Sequence, residues 1–203
     1  MAELGRLHVI TDRLPIAAAA LDAGAPVIQV RAKDATDAEV LDLTCRVLEL
    51  AAPHGATVVV DDRLDVALAA GAHGVHVGEH DLPVGAARQV AADPAFVVGG
   101  TARDPLTARA YQIAGATYLG VGPCYATSSK VGLPEPEGAE RVRAVAAAVS
   151  IPVIAIAGVT AARIPELLEA GAHGVAVIGA IRDADDPRAA TRELLAALEA
   201  VQP

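Results

Sequence analysis

One short segment of this chain occurs twice, one hundred positions apart. The letters AGAHGVHVG run from residue 70 to 78, and AGAHGVAVIG runs from 170 to 179. Looser copies begin at Ala23 and Ala114, so the pattern occurs four times. Each copy is typical of a helix that ends at glycine, which takes the left-handed conformation at no steric cost, followed by a strand. Recurrent helix–strand units of this kind predict a parallel sheet.

Strand-like and helix-like segments alternate along the whole chain. Eight short apolar runs predict strands at 7–11, 26–30, 57–61, 74–77, 95–99, 117–121, 152–157 and 174–178. Segments with helical periodicity separate them, at 16–23, 37–52, 63–70, 83–92, 105–114, 137–149, 161–170 and 187–201. Eight such units most simply close into a (β/α)8 TIM barrel, a fold that starts at roughly 200 residues. We therefore predict an α/β chain with a single TIM-barrel domain over residues 1–203.

A doubly wound open sheet is the alternative fold. It usually carries a G-x-G-x-x-G fingerprint in the first strand-to-helix turn. Here that turn reads TDRLP at 11–15, so the barrel is favoured.

The composition limits the partners of the chain. Its formal net charge is −9, and aromatic residues make up only 2%. An acidic chain with few rings for base stacking is not expected to bind nucleic acid. No apolar run approaches the roughly 18 residues of a membrane span, and the N-terminus lacks a basic segment followed by an apolar core. We predict a cytoplasmic protein that does not bind membranes; its Ala-rich helices are compatible with a homo-oligomer.

Polar residues follow the second predicted strand. In a TIM barrel the chemistry takes place at the carboxyl ends of the strands. This strand runs into Gln29-Val30-Arg31-Ala32-Lys33, and strand alternation turns Gln29, Arg31 and Lys33 to one side. Three polar groups facing the helices would be costly, so we expect them to face the barrel mouth. Two cations there suit an anion, most simply a phosphate or a diphosphate.

Carboxylates follow the next two strands. Asp61 and Asp62 end the third strand, and Asp81 comes shortly after the fourth. Beside a cationic strand, Asp62 and Asp81 predict a magnesium site whose remaining ligands are water and substrate phosphate oxygens. The alternative is that Asp61 and Asp62 only cap the third helix, but capping does not require a second carboxylate at Asp81.

Small and hydroxyl-bearing residues follow the last three strands. They are Thr127, Ser128 and Ser129 after strand six, Gly158 after strand seven and Gly179 after strand eight, and Lys130 and Ile178 lie directly beside them. Hydroxyls and closely approaching backbone amides suit a phosphate, at a place where barrels often bind one. Tight packing of these turns is the alternative explanation for the small residues.

One threonine and three histidines complete the candidates. Thr101 either places a hydroxyl in the barrel mouth or caps a helix. His76 lies on the fourth strand and is more simply a packed side chain than a catalyst. His73 and His173 precede strands, and we expect them to be structural residues at the opposite, N-terminal face.

Taken together, these segments resemble thiamine-phosphate synthase over nearly the whole chain. Residues 29–33 match the Q-x-R-x-K motif of that family, Asp62-Arg63 match the end of its N-D-R, and 74–83 match its G-V-H-L-G-Q-x-D-L-P. Further matches are GVGP at 120–123, TSSK at 127–130, IAGV at 156–159 and GVAV at 174–177. Several ordered motifs at matching spacings are more specific than any one of them.

The resemblance implies a TIM barrel that joins hydroxymethylpyrimidine diphosphate to a thiazole phosphate, with Mg²⁺ as cofactor, and forms thiamine phosphate and diphosphate. The residues it implies for the pyrimidine diphosphate are Gln29, Val30, Arg31, Ala32, Lys33, Asp61, Thr101 and Lys130. Those for the thiazole phosphate are Thr127, Ser128, Ser129, Gly158, Ile178 and Gly179, and those for the metal are Asp62 and Asp81. Arg31, Lys33 and Lys130 are implied to be catalytic, because they would stabilise charge on the departing diphosphate.

The chain departs from the family pattern at several positions, including Ala126 and Ser129, which soften its usual P-T-x-T-K. Asp61 stands where the family has Asn, and Gly179 stands where it has a Ser that would donate to the thiazole phosphate. Two alternatives stay open: a thiazole tautomerase, from a related branch that shares the barrel and the phosphate end, and a non-catalytic phosphate-binding barrel, which these departures suggest. The related tautomerases carry a His where this chain has Pro123, and they lack Lys33 and the paired aspartates, so the synthase function is favoured.

Overall fold

The computed structural model of the chain describes residues 4–129, 132 and 134–200. Within these residues, eight parallel strands form a closed barrel in chain order, and the last strand pairs with the first. The strands are β1 (Leu7–Thr11), β2 (Val27–Val30), β3 (Thr57–Asp61), β4 (Gly74–Val77), β5 (Val97–Thr101), β6 (Tyr118–Val121), β7 (Val153–Ile156) and β8 (Gly174–Val177). The predicted barrel is therefore confirmed, and the alternative prediction of a doubly wound open sheet is wrong.

Helices follow the strands and cover the outside of the barrel. Among the described residues they are α1 (Leu14–Asp22), α2 (Asp37–Ala51), α3 (Leu64–Ala70), α4 (Val84–Val90), α5 (Pro105–Ile113), α6 (Gly138–Ala146), α7 (Ile164–Glu169), α8 (Gly179–Arg182) and α9 (Pro187–Glu199). The four-residue helix α8 was not predicted, because one turn is too short to show a periodic pattern. None of the helices in the described ranges is long and apolar enough to cross a membrane.

Two helix starts show how local sequence sets these boundaries. Before α2, Thr36 accepts a hydrogen bond from the Glu39 amide, and the Glu39 carboxylate accepts one from the Thr36 amide at 2.8 Å. Before α5, the Asp104 carboxylate accepts hydrogen bonds from the amides of Leu106 and Thr107, both at 2.9 Å. Both arrangements satisfy amides that have no partner inside the helix.

The repeated segment has a structural explanation at the first two glycines of each copy. Gly71 and Gly171 end α3 and follow α7 with φ of +69° and +95°, in the left-handed region that favours glycine. Gly74 and Gly174 begin strands, where a Cβ would lie 2.5 Å from the Val97 carbonyl oxygen and 2.0 Å from that of Arg6. The repeat therefore encodes a helix end and a close approach between neighbouring strands.

The histidine that the two copies of the repeat share, His73 in one and His173 in the other, is structural, as expected. His73 Nδ1 accepts a hydrogen bond from the Val58 amide at 2.9 Å. His173 Nε2 lies 2.7 Å from the carbonyl oxygen of Leu4. Both side chains bind backbone at the amino ends of strands, away from the barrel mouth.

Strand β5 differs from its prediction. It covers Val97–Thr101, whereas the apolar pattern placed it at 95–99. The shift arises because residues before it form a turn, in which the Asp93 carboxylate accepts a hydrogen bond from the Ala95 amide at 2.8 Å. Gly99 then lies inside the strand, where a Cβ would be only 2.2 Å from Cζ of Tyr118. Glycine has a low strand propensity, but it is required at this position because the Tyr118 ring leaves no room for a side chain.

Candidate active site

A cavity of about 1040 Å³ opens at the carboxyl ends of the strands, and every strand contributes to its lining. Its lowest part, which we call the barrel floor, consists of the buried side chains of Ile10, Tyr118, Ile154 and Ala176. Thirteen predicted site residues line the cavity: Gln29, Arg31, Lys33, Asp61, Asp62, Asp81, Thr101, Thr127, Ser128, Ser129, Gly158, Ile178 and Gly179. The structure thus brings the cationic, acidic and hydroxyl-bearing candidates into one space.

Three other predicted residues are placed differently. Val30 is buried in the core between strands and helices, and Ala32 packs against that same core, so neither side chain lines the cavity. If these two residues contact a ligand, they therefore do so with their backbone atoms. Lys130 lies outside the described residues.

Asp61 is the centre of the polar group at the end of β2 and β3. Its Oδ1 accepts a hydrogen bond from Gln29 Nε2 at 2.7 Å. Its Oδ2 lies 3.1 Å from Arg31 Nε and 3.6 Å from Lys33 Nζ. Burial raises the pKa of Asp61, although the charges of Lys33 and Arg31 oppose the shift. Asp61 therefore holds the three side chains that strand alternation turns toward the mouth.

Lys33 links this group to the next carboxylate. Its ammonium donates a hydrogen bond to Asp62 and lies near Asp61. Burial lowers the pKa of Lys33, but the hydrogen bond to Asp62 and the two negative charges together raise it above its ordinary value. Lys33 is therefore a cation in the cavity at neutral pH.

Asp62 is not a helix cap. Helix α3 begins after Arg63, which makes no side-chain capping bond. Asp62 itself has φ of +61°, a left-handed conformation that is uncommon outside glycine, and its amide donates to the His76 carbonyl oxygen at 2.8 Å. This hydrogen bond to β4 stabilises the left-handed backbone conformation of Asp62.

Asp62 and Asp81 bring two carboxyl groups together. Asp81 Oδ2 accepts a hydrogen bond from the Gly78 amide at 2.8 Å. Burial raises the pKa of Asp81, and its contact with the Asp62 carboxyl group raises it further. Within residues 4–129, 132 and 134–200, no group of three or more His, Cys, Asp or Glu side chains is placed to bind a metal. A cation here would take its other ligands from water or substrate, which is how Mg²⁺ is commonly bound in phosphate-transfer sites.

The opposite side of the cavity carries hydroxyls and small residues. The loop after β6 is tied to the end of β7 by hydrogen bonds from the Cys124 and Tyr125 amides, both at 3.0 Å. It passes directly over Gly158, where φ is +64° and a Cβ would lie 2.5 Å from the Ala126 carbonyl oxygen. A Cβ on Gly179 would lie 3.5 Å from Ser129 Oγ, so this loop also reaches the start of α8.

Thr101 and His76 are joined inside the barrel. Thr101 lies on β5 and lines the cavity, and α5 is capped by Asp104 instead. His76 Nε2 lies 2.9 Å from Thr101 Oγ1, and His76 Nδ1 lies 2.9 Å from the Tyr118 hydroxyl. His76 is thus packed between two hydroxyls, as expected, and it also lines the cavity itself.

Several cavity residues were not predicted, among them His8, Tyr118 and Arg103. His8 and Tyr118 lie low in the barrel, and Arg103 lies at the mouth, where it donates to Glu79 Oε2 at 2.7 Å. Arg103 comes two positions after Thr101, so the alternation used for β2 would have found it if β5 had been extended to Thr101. His8 and Tyr118 carry no comparable signal in the sequence, because each lies in an apolar strand.

His8 gives a pH dependence of stability. Burial, reinforced by the nearby His76, lowers its pKa to about 3. Below about pH 6.5 the unfolded chain takes up a proton that the folded His8 does not, so stability is lost as pH falls, at up to about 1.4 kcal/mol per pH unit. The measurement is the free energy of unfolding by denaturant at about pH 7 and at about pH 5. Between these two pH values, we expect His8→Gln to lose about 2 kcal/mol less of this free energy than the unmodified chain. An equal loss in His8→Gln and in the unmodified chain would contradict the assignment.

Comparisons with known proteins agree on one family. A family model described as thiamine monophosphate synthase matches residues 7–181. The chain is 55% identical to a thiamine-phosphate synthase of Salinispora arenicola, over 98% of this chain and 99% of that protein. It is 56% identical to one of Salinispora tropica, with the same coverage. The solved thiamine phosphate pyrophosphorylase of Pyrococcus furiosus superposes with a TM-score of 0.89 at 35% identity, covering 98% of this chain and 97% of that one.

Proposed function

Since this chain belongs to the thiamine monophosphate synthase family and has the activity of a thiamine-phosphate synthase, we propose that the two sides of its cavity hold the two substrates. The enzyme is a transferase that joins hydroxymethylpyrimidine diphosphate to a thiazole phosphate and releases diphosphate. One observation carries the proposal: cations and paired carboxylates line one side of a single cavity, and hydroxyls with small residues line the other.

The diphosphate is assigned to the side formed by β2, β3 and β5. Arg31 and Lys33 supply the positive charge, and Arg31 is suited to a two-point contact with phosphate oxygens. Asp61 holds these cations in place at 3.1 and 3.6 Å, and Gln29 in turn donates a hydrogen bond of 2.7 Å to Asp61. Thr101 adds a hydroxyl, the backbone of Val30 and Ala32 approaches the same ligand, and Lys130 is assigned here from the family motif alone.

Magnesium is assigned to Asp62 and Asp81. The contact between the two carboxyl groups raises the pKa of Asp81, and a divalent cation bound between them would offset their repulsion. Two carboxylates fill only part of the coordination shell of magnesium, so water and diphosphate oxygens would supply its other ligands. When bound, magnesium would neutralise negative charge on the diphosphate oxygens. Lys33, in contact with Asp62, places a further positive charge beside that site.

The thiazole phosphate is assigned to the opposite side of the cavity. Hydroxyls from the loop after β6 face the turns after β7 and β8, where small residues leave room for a phosphate. The residues proposed to hold it are Thr127, Ser128, Ser129, Gly158, Ile178 and Gly179. This separation keeps two anionic groups at different ends of one cavity, with the reacting atoms between them.

The reaction then requires charge stabilisation and exclusion of water. The bond between the pyrimidine methylene carbon and the diphosphate oxygen breaks with both electrons on oxygen, and the thiazole nitrogen bonds to that carbon with its lone pair. Arg31 and Lys33 stabilise the charge that develops on the leaving oxygen. The apolar barrel floor keeps water from the pyrimidine cation. No side-chain nucleophile is needed, and Cys124 is unsuited to that role, because burial raises the pKa of its thiol to about 11.

The function is tested by diphosphate release from the purified protein. With Mg²⁺, hydroxymethylpyrimidine diphosphate and thiazole phosphate together, we expect turnover, and omission of either substrate should abolish it. No release at high enzyme concentration would contradict the proposal. Interconversion of thiazole tautomers without diphosphate release would instead identify a tautomerase.

Gly179 offers a gain-of-function prediction for the thiazole side. A Cβ there would lie 3.1 Å from Asp183 Oδ2 and 3.5 Å from Ser129 Oγ, so a serine fits after a small shift. In Gly179→Ser the new hydroxyl can donate to the phosphate, and we expect the KM for thiazole phosphate to fall about fivefold, the worth of one hydrogen bond. Steady-state kinetics with each substrate varied measures the effect. A lower KM for the pyrimidine diphosphate alone would place the phosphate elsewhere.

A further inference from the structure

His76 lies between two hydroxyl groups inside the barrel, in a space that glycines leave for it. Its Nδ1 is 2.9 Å from the Tyr118 hydroxyl and its Nε2 is 2.9 Å from Thr101 Oγ1. A Cβ on Gly120 would lie 3.0 Å from His76 Cε1, and one on Gly99 would lie 2.2 Å from Tyr118 Cζ. A side chain at Gly99 would displace the Tyr118 ring, and one at Gly120 would press against the His76 ring. The hydrogen-bonded row Tyr118–His76–Thr101 is therefore specified by packing as well as by polar contacts.

The direction of hydrogen bonding in this row follows from the surroundings of Tyr118. Its side chain is buried in the barrel floor against Ile10, Ile154 and Ala176, and burial raises its pKa, so the phenol keeps its proton. Among the described residues, His76 Nδ1 is the hydrogen-bond partner of that hydroxyl. If Nδ1 carried the imidazole proton, the buried phenol O–H would lose the acceptor that it has among the described residues, which is costly. The satisfied arrangement has the phenol donating to Nδ1.

The imidazole proton then lies on Nε2. A neutral imidazole has one donor and one acceptor, so an Nδ1 that accepts requires an Nε2–H that donates to Thr101 Oγ1. The Thr101 hydroxyl, already accepting from His76, has its own proton left to donate. Because Thr101 lines the cavity, that proton is available to an oxygen acceptor there. Hydrogen bonds in such a chain also polarise one another and strengthen the last donor.

We propose that Tyr118 and His76 are positioning residues that fix Thr101 as a hydrogen-bond donor to the diphosphate. The proposal rests on the assignment of the diphosphate to this side of the cavity. Tyr118 and His76 need not touch the substrate; they set which way the Thr101 hydroxyl points. A threonine with free rotation would divide its time between donating to the ligand and donating to His76.

A double-mutant cycle distinguishes this role from simple packing. We expect Thr101→Val to lower kcat/KM for the pyrimidine diphosphate about a hundredfold. Tyr118→Phe, which keeps the ring but removes the donor, should lower it about tenfold in the original background. In the Thr101→Val background, Tyr118→Phe should have no further effect, because the hydroxyl that it orients is already gone. The proposal would be overturned if the losses in kcat/KM from the two substitutions multiplied in the double variant. It would also be overturned if Tyr118→Phe alone left kcat/KM unchanged.

Two further measurements separate this proposal from the proposed function. Binding of inorganic diphosphate in the presence of Mg²⁺, by titration calorimetry, should show the same coupling between the two substitutions without requiring turnover. Nitrogen NMR of the histidine rings in the unmodified protein should show His76 with its proton on Nε2, and His76→Gln identifies its signals. A proton on Nδ1 would overturn the proposal even if the enzyme synthesises thiamine phosphate. If His76 has its proton on Nε2 and the binding coupling is observed, but the protein shows no turnover, the proposed function is contradicted and the positioning role is not.

Discussion

Asp81→Asn is expected to lower kcat/KM for diphosphate release by about two to three orders of magnitude, the usual cost of losing a charged group that stabilises a leaving group. Asn keeps the size of the side chain and an oxygen that can accept from the Gly78 amide, but it removes one of the two carboxylates assigned to magnesium. Steady-state diphosphate release at varied Mg²⁺ measures the loss. Calorimetric titration of Mg²⁺ with inorganic diphosphate present should show weaker binding as well.

A surface carboxylate provides the matched control for this change. Asp42 lies on α2 with its side chain 72% exposed, and Asp42→Asn removes the same charge far from the cavity. We expect it to leave both kcat/KM and Mg²⁺ binding unchanged. If Asp81→Asn behaved like Asp42→Asn, Asp81 would not be a magnesium ligand.

Arg31→Met should produce a loss of similar size, about a hundredfold or more in kcat. The guanidinium lies 3.1 Å from Asp61 Oδ2, lines the cavity and is the best placed group for two-point contact with a phosphate. Met fills a similar volume without charge, and Asp61 keeps Gln29 and Lys33 as partners, so the fold should be retained. Diphosphate release under substrate saturation measures the effect on kcat, and thermal unfolding checks the fold.

Arg31→Lys separates charge from geometry at the same position. A lysine keeps the positive charge but lacks the planar pair of donors, so we expect a loss of about tenfold, intermediate between the original enzyme and Arg31→Met. Equal activity in all three proteins would show that Arg31 does not contact the leaving group. Equal loss in Lys and Met would show that the shape of the guanidinium, and not its charge, is required.

The fold was largely predictable because its signals are local and repeated. Each helix end at glycine and each apolar run can be identified from a few neighbouring residues, as the segments around Gly71 and Gly171 show. The start of β5 could not be identified in that way. It depends on the turn at Asp93 and on the Tyr118 ring, which excludes a side chain at Gly99.

The candidate site was predictable where it follows strand alternation. Gln29, Arg31 and Lys33 were expected to face the mouth because strand alternation, continued past the end of β2, turns them to one side, and all three line the cavity. The distinction between Asp62 as a cap and as a cavity residue needed the backbone conformation at Asp62, which the sequence does not display. The row from Tyr118 through His76 to Thr101 spans three strands, so only the closed barrel brings its members together.

A crystal structure of the protein with Mg²⁺, diphosphate and thiamine phosphate tests the central claim, which is the division of one cavity between two anionic groups. We expect the diphosphate to contact Arg31 and Thr101, with magnesium bound to Asp62 and Asp81. The phosphate of thiamine phosphate should lie against Gly158 and Gly179. A diphosphate at Gly158 and Gly179, or a magnesium ion without contact to either aspartate, would contradict the account.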